Sequence, residues 1–312
     1  MIRCSMALAI LAASALLAPS AHAQNENQGQ GRAIVTVLPK KATDPAPATD
    51  PQGIKLEING KKATVSNWRA LNGPNDTVEL IFLMDSSSRD SLGGELETIA
   101  HFLDRLPPNT RATIAYMQNG SAVLSGPLTA DRAEAKRHLH MPMGVSSASP
   151  YFCLSNLAQH WPSGDRHARR EVVMVTDGVD PYEQHLDLDD PYVKTATDDS
   201  ARAGILVYTL YWRNRGPADN YAEVSNTGQS LLEIVAEATG GKSYWHGQGN
   251  PVSFEPYLDD LARRLQNQYE LGFSAPLHGK PKVEELRLKF SVPGSSVDSP
   301  QLVMVYREGA TQ

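Results

Sequence analysis

Three short apolar runs constrain the fold of this chain more than any other feature. They are Val78–Met84, Glu171–Val175 and Ile205–Tyr211, and each is followed by polar residues. Between them lie segments of helical periodicity, such as 96–103, where apolar side chains recur at intervals of three and four. Buried strands that alternate with amphipathic helices indicate βα repeats. We therefore predict an α/β domain built on a mostly parallel sheet.

The sequence segments before and after this domain are both predicted to be rich in strands. Ile54–Ile58 alternates strictly between apolar and polar residues and runs into Asn59-Gly60, a hairpin signal. After residue 267 the helical period disappears, and three strand-like runs follow. We predict a small β-rich module drawn from both flanks, while the pairing between them stays open. The predicted division is 1–23 signal peptide, 24–32 disordered terminus, 33–75 β-rich segment, 76–267 α/β domain and 268–312 β-rich segment.

The first residues have the pattern of a secretion signal. Arg3 precedes the apolar stretch Met6–Leu17, and Ala21–Ala23 supplies the small residues of a cleavage site. The apolar stretch is too short to span a bilayer. We expect an exported protein without a membrane span, located in the periplasm or outside the cell.

The charge of the chain argues against nucleic acid as a partner, and its cysteine content argues against a disulfide bond. The formal net charge is −6, and it becomes −7 when residues 1–23, which carry only Arg3, are removed. An acidic chain is a poor partner for nucleic acid, because phosphate binding depends on basic patches. Cys153 is then the only cysteine, so an intramolecular disulfide is excluded, and its apolar neighbours predict a buried thiol.

Acidic residues follow two of the apolar runs directly. Asp85 begins the sequence Asp85-Ser86-Ser87-Ser88-Arg89, and Asp177 follows Thr176 after the second run. Open α/β sheets bind ligands just beyond the carboxyl ends of their strands. A carboxylate followed by hydroxyls on alternate residues can face one hard cation. Each aspartate, taken alone, could equally cap a turn or a helix.

The order of these motifs resembles the von Willebrand factor A domain over residues 76–267. The resemblance rests on Phe82–Ser87, Val173–Gly178 and Ala236–Tyr244. The β-rich flanks and the signal peptide look like a bacterial, acidobacterial-type exported subgroup of that family. The resemblance implies a doubly wound sheet with helices on both faces, similar to a Rossmann fold.

The family's metal-ion-dependent adhesion site, usually a magnesium site, is the functional implication of this resemblance. Asp85 and Ser87 match its first two ligands, and Asp177 matches the aspartate at the end of the fourth strand. Arg89 stands where the third ligand is expected. A permanent cation beside Mg²⁺, Mn²⁺ or Ca²⁺ is repelled, so we expect a degenerate site in which Arg89 replaces the metal.

The family's threonine has no clear counterpart in this chain. Ser146 is our candidate for that hydroxyl, with Ser147 and Ser149 as alternatives. If the side chain of Arg89 points outward, the resemblance still allows a metal held through Ser88 or water.

An acidic stretch follows the second apolar run. It contains Asp180, Glu183 and Asp187 but lacks the residue order of a calcium-binding loop. We interpret it as a solvated loop that forms the rim of a binding face.

No catalytic motif of the common hydrolases, metalloproteases or nucleotide-binding enzymes is present. The sequence therefore favours a non-catalytic, exported module that binds another protein and has no firmly bound cofactor. Two alternatives stay open: a metal-dependent hydrolase that uses Asp85 and Asp177, and a structural component of an envelope assembly.

Overall fold

The protein, described from a computed structural model, contains two sheets. A six-stranded sheet carries the helices, and a seven-stranded sheet combines strands from both flanks. The structure describes residues 28–307, apart from 42–43, 45–46, 48, 89, 143–147, 183–187 and 214–221. Within these ranges no helix has the length and apolarity needed to cross a membrane. The predicted signal peptide, residues 1–23, lies outside the described residues.

The elements are numbered in chain order. The strands are β1 Gln28–Pro39, β2 Lys55–Ile58, β3 Lys61–Ala70, β4 Val78–Asp85, β5 Thr110–Gln118, β6 Ser121–Leu124, β7 Arg169–Thr176, β8 Ile205–Tyr211, β9 Ser243–Tyr244, β10 Gln268–Pro276, β11 Lys282–Lys289, β12 Ser295–Asp298 and β13 Leu302–Arg307. The helices are α1 Gly93–Arg105, α2 Arg132–Arg137, α3 Pro150–Gln159, α4 Pro191–Ala203, α5 Ala222–Thr239 and α6 Glu255–Gln266.

The six-stranded sheet has the order β6-β5-β4-β7-β8-β9. All its strands are parallel except the edge strand β6, which pairs antiparallel with β5. This confirms the predicted mostly parallel sheet. The strand order reverses between β4 and β7, since the chain first adds strands on one side and then on the other. In such sheets this point opens a crevice at the carboxyl ends of the strands.

Helices cover both faces of this sheet. Alternate side chains of β4 point to opposite sides, so that Phe82 and Met84 join the core beneath α1 and α6. Ile81 and Leu83 join the core formed with α3, α4 and α5. Every residue of β4 is buried for this reason. The doubly wound arrangement that the family resemblance implied is therefore present.

The two flanks form one closed antiparallel barrel. Its ring runs β1-β10-β3-β2-β11-β13 and returns to β1, while β12 pairs with the second half of β1. Strands from before and after the α/β domain therefore share one core, around Val35, Leu271 and Phe273. Closure leaves the ring without an open edge, which protects it from pairing with other chains.

The prediction that residues 24–32 are disordered is wrong for residues 28–32, which form the first part of β1. Gly29 and Gly31 are both buried at alternate positions of the strand. A side chain at Gly31 would collide with the ring of Phe273, and one at Gly29 would lie 2.7 Å from Leu277 Cβ. The glycines that suggested flexibility are required by the filled barrel. Residues 24–27 lie outside the described residues.

A buried polar network joins the barrel to the α/β domain. The guanidinium of Arg169, at the start of β7, donates to the carbonyl of Leu265 at 2.8 Å and to the side-chain oxygen of Gln268. The amide of Gln268 donates in turn to Glu171 at 2.9 Å and to the Tyr208 hydroxyl at 3.3 Å. Burial raises the pKa of Glu171 to about 7, although Arg169 and the hydrogen bonds oppose the rise.

The raised pKa of Glu171 predicts a pH-dependent stability. The pKa of Glu171 in the folded protein lies above its unfolded value near 4.5. The contribution of Glu171 to the free energy of unfolding is therefore fully present below about pH 4.5 and is lost as the pH rises through 7. We expect Glu171→Gln, which mimics the neutral acid, to gain about 2 to 3 kcal/mol over the wild type between roughly pH 5 and pH 8. Urea unfolding at a series of pH values measures this difference. The exposed Glu97→Gln serves as the control, and parallel curves for wild type and Glu171→Gln would contradict the prediction.

Candidate functional site

The carboxyl ends of β4 and β7 bring Asp85 and Thr176 together. The strands pair in parallel with Met84 beside Val175, so the last residue of each strand, Asp85 or Thr176, lies at the same end of the sheet. We call this end of the sheet the top face, defined by residues 85–88, 177–182 and 245–254. It coincides with the reversal of strand order and is therefore the expected ligand-binding end.

Hydrogen bonds hold the carboxylate of Asp85 in one orientation. Its Oδ1 accepts from the backbone nitrogen of Ser87 at 2.9 Å and from the Ser87 hydroxyl at 2.6 Å. Its Oδ2 accepts from the hydroxyl of Thr176 at 2.7 Å. Asp85 is only 2% exposed, and bonds of this kind are what make a buried carboxylate tolerable. The structure thus brings the carboxylate of Asp85 and the hydroxyl of Ser87 into direct contact.

Thr176 is a site residue that the sequence analysis missed. Besides donating to Asp85, its hydroxyl accepts from the backbone nitrogen of Gly178 at 3.2 Å. One side chain therefore connects the loop after β4 with the loop after β7. The signal was present in the sequence, because a hydroxyl residue stands immediately before Asp177 at the end of an apolar strand.

Asp177 follows Thr176 directly, and its carboxylate accepts a hydrogen bond from its own loop. It is 6% exposed, and its Oδ1 accepts from the backbone nitrogen of Val179 at 3.1 Å. Gly178 has a φ of +72° and packs against the backbone of Gly228 in α5, where a Cβ on either glycine would collide with the other segment. The close approach keeps the loop after β7 against α5.

Asp180 is a correction to the sequence interpretation. It is buried rather than solvated, and its Oδ2 accepts a hydrogen bond from the hydroxyl of Ser149. Its Oδ1 accepts from the backbone nitrogen of Tyr182 at 2.8 Å. The Ser149 hydroxyl also accepts from the nitrogen of Phe152 at 3.2 Å and so caps α3. Asp180 therefore fastens α3 to the loop after β7 and is not part of an exposed rim.

Negative charge accumulates at this end of the sheet. Burial raises the pKa of the Tyr151 hydroxyl well above its ordinary value. Three carboxylates add to that rise through their charge: Asp190, Asp180 and Asp177. The Tyr151 hydroxyl donates to the carbonyl of Gly178 at 2.7 Å, which places it within the site. A buried group of carboxylates favours a cation, either a metal ion or a basic side chain.

The described residues do not by themselves complete a metal centre. They contain no group of three or more acidic, histidine or cysteine side chains arranged to hold an ion. Ser86 and Ser88 nevertheless supply two further oxygen atoms that could bind a cation in the loop after Asp85. Their hydroxyls are buried and make no hydrogen bond with any described residue. The expected metal chemistry therefore stays a prediction.

Several predicted site residues lie outside the described residues. They are Arg89, Ser146, Glu183 and Asp187. Ser147, an alternative to Ser146, is also outside them, while Ser149 bonds to Asp180 as described above. The predicted role of Arg89 as a replacement for the metal is therefore a matter for experiment.

The predicted buried thiol of Cys153 is confirmed. Its side chain is fully buried in α3 and forms no disulfide. Burial, followed by the charge of Asp85, raises the pKa of Cys153 to about 12. A thiol of that pKa is protonated at neutral pH and is a poor nucleophile.

Comparisons with known proteins find structural similarity at low sequence identity. No protein-family model and no curated protein matches the chain. Among solved structures it is similar to an aerotolerance-related membrane protein from Bacteroides fragilis NCTC 9343, with 16% identity, a TM-score of 0.45, and coverage of 60% of this chain and 98% of that one. BatB from Bacteroides thetaiotaomicron gives 18% identity, a TM-score of 0.44, and coverage of 60% and 97%. For the pilus adhesin SpaC from Lactobacillus rhamnosus GG, the sequence identity is 10% and the TM-score is 0.43. The match covers 87% of this chain and 50% of that one. At these identities and TM-scores we draw no functional inference from them.

The hydrogen bond between Thr176 and Asp85 predicts a specific loss of stability. Thr176→Val keeps the shape of the side chain but removes the hydroxyl that donates to the buried carboxylate of Asp85, so we expect a loss of about 2 kcal/mol in the free energy of unfolding. Thr110→Val is the matched control, because the Thr110 hydroxyl is equally buried and bonds to no described residue. Urea unfolding should show little change or a gain for Thr110→Val. Equal losses in the two variants would contradict the role given to Thr176.

Proposed function

We propose that the protein is an exported, non-catalytic binding module of the von Willebrand factor A type that engages another protein through its top face. One observation carries the proposal. Asp85, Ser87 and Thr176 form a hydrogen-bonded cluster at the reversal of strand order, where open α/β sheets bind their ligands.

Exposed apolar side chains in the loops of the top face support a protein as the partner. Tyr182, in the loop after β7, is 57% exposed, and Val252, in the loop after β9, is 99% exposed. Tyr182 lies near Phe152, with ring centroids 6.1 Å apart. Tyrosine and other aromatic residues are enriched in protein interfaces because they bury a large area at a low cost in conformational entropy.

A crosslinking experiment tests the use of the top face. A photo-crosslinking amino acid at position 182 should form one discrete protein adduct in envelope extract, and Asp85→Asn should abolish it. Leu124, which is 37% exposed on the edge strand β6, is the control position. Adducts of equal yield from both positions, or an adduct from position 182 that survives Asp85→Asn, would sink the proposal.

A degenerate metal site is the second part of the proposal. The chain supplies Asp85 and Ser87 in the order of the family's adhesion site but Arg89 at the third position. A guanidinium keeps its charge at any physiological pH and opposes a divalent cation nearby. We therefore propose that partner binding here does not depend on magnesium or manganese.

Thermal unfolding with and without cation tests this part. At about 10 mM Mg²⁺ or Mn²⁺ we expect the melting temperature of the wild type to stay within roughly 1 °C of its metal-free value. Arg89→Ser restores the serine of the pattern and should give a cation-dependent rise of a few degrees. Asp177→Ala in that background should remove the rise. A clear cation-dependent rise in the wild type that Asp177→Ala abolishes would show a working metal site.

Two alternative functions predict different experimental results. A metal-dependent hydrolase would turn over generic ester, phosphate or peptide substrates and would lose that activity on Asp85→Ala. A structural component of an envelope assembly would purify in a stable complex of fixed stoichiometry. The pKa of Cys153, raised to about 12 by burial and by Asp85, argues against a thiol nucleophile at this site.

A further inference from the structure

A concave pocket at the opposite end of the sheet collects arginine side chains. It has a volume of about 360 Å³ and lies between the barrel, the C-terminal ends of α3 and α4, and the beginning of β7. We call it the arginine pocket, and the residues that define it are Arg32, Trp161, Arg166, Arg170, Arg202 and Tyr306. They come from β1, the segment between α3 and β7, β7 itself, α4 and β13.

The four guanidinium groups converge on one region. Burial raises the pKa of the Tyr306 hydroxyl, and the positive charges of all four arginines oppose that rise. Burial lowers the pKa of Arg170, and the charges of Arg32 and Arg166 lower it further. The guanidinium of Arg170 also lies 5.6 Å from the centre of the Trp161 ring. Like charges are thus held close together in a partly enclosed space.

Part of this charge lacks compensation within the described residues. Arg32 pairs with Glu270 at 3.4 Å, and Arg202 pairs with Asp199. Arg166 and Arg170 line the same pocket and form no salt bridge with any described residue, so neither guanidinium has a carboxylate in direct contact. This local excess occurs in a chain whose formal net charge is −6.

Neighbouring carboxylates remove only part of the excess. Glu79 and Asp165 raise the pKa of Arg170 through their charge, but both also form salt bridges with one other cation, Arg111. After Arg111 is counted, the two carboxylates offset about one of the two positive charges. The Asp165 pair measures 3.5 Å. Glu79 also accepts a hydrogen bond of 2.6 Å from the Trp161 nitrogen, which fixes its carboxylate beside that ring.

Helix capping explains only one of the four arginines. Arg170 donates to the carbonyl of Ala203 at 3.3 Å and to that of Ser163 at 3.4 Å, both long for hydrogen bonds. Basic residues commonly satisfy helix C-termini in this way. Arg166, by contrast, is exposed and forms no hydrogen bond with any described residue. A structural role therefore does not account for its presence in the pocket.

We propose that the arginine pocket binds a phosphoryl group. The planar guanidinium matches the geometry of phosphate oxygens through paired hydrogen bonds. A phosphoryl group presents three strong acceptor oxygens and can therefore meet Arg166 and Arg170 at the same time, whereas a carboxylate has only two oxygens. The volume of about 360 Å³ lies at the lower end of ligand pockets, so the ligand is a small phosphate ester, free or as the head group of a lipid. This site is independent of the top face.

Isothermal titration calorimetry with inorganic phosphate and pyrophosphate tests the proposal. We expect one site per chain whose affinity falls with added salt, and a loss of at least about tenfold for Arg166→Gln. Arg287→Gln on β11 removes the same charge from an exposed position outside the pocket and should bind as the wild type does. Arg166→Gln should keep the wild-type melting temperature, because Arg166 is exposed.

Vesicles separate the two sources of the phosphoryl group. Binding of both free anions and phosphatidic acid vesicles, each weakened by Arg166→Gln, supports the site for either source. Binding to phosphatidic acid vesicles alone, again weakened by Arg166→Gln, assigns the ligand to a lipid head group. Absence of binding in both arms, or equal binding by Arg166→Gln and Arg287→Gln, overturns the proposal.

Discussion

The parallel pairing of β4 with β7 is the constraint on which the rest of the structure depends. Both strands are buried on both faces, and the connections that follow them leave toward opposite sides of the sheet, to α1 and α4. The loops diverge, and the ends of the strands line the crevice between them. Asp85 can be buried there because Thr176 reaches it from the neighbouring strand and Ser87 from its own loop.

The two ends of the central strands have opposite electrostatic character. Carboxylates surround their carboxyl ends, where Asp85, Asp177 and Asp180 are all buried. Arginines surround the amino end of β7, where Arg169 bonds to the barrel and Arg170 lines the arginine pocket. The closed barrel contributes to the second end through β1, β10 and β13. The module formed by the flanks is therefore an integral part of that end of the molecule.

Local pattern was sufficient to predict the α/β domain and half of its site. Apolar runs identify β4, β7 and β8 because strands buried on both faces have no polar positions. Asp85 and Ser87 were predicted because a strand of this type ends with them. Thr176 was missed because its hydroxyl acts across strands, and such a contact depends on register rather than on spacing along one segment. Asp180 was misjudged for a similar reason, since its partner Ser149 is thirty-one residues away.

The sequence by itself determined the alternation of strands and helices, the apolar faces of both sheets and the polar residues at the strand ends, because each is a property of neighbouring residues. Only the tertiary structure decided which strands pair, and pairing brings distant residues together. It closed the barrel from segments on either side of the α/β domain and placed Gly31 against Phe273. It also gathered Arg32, Arg170 and Arg202 from three separate elements into one pocket, a cluster that no local pattern could indicate.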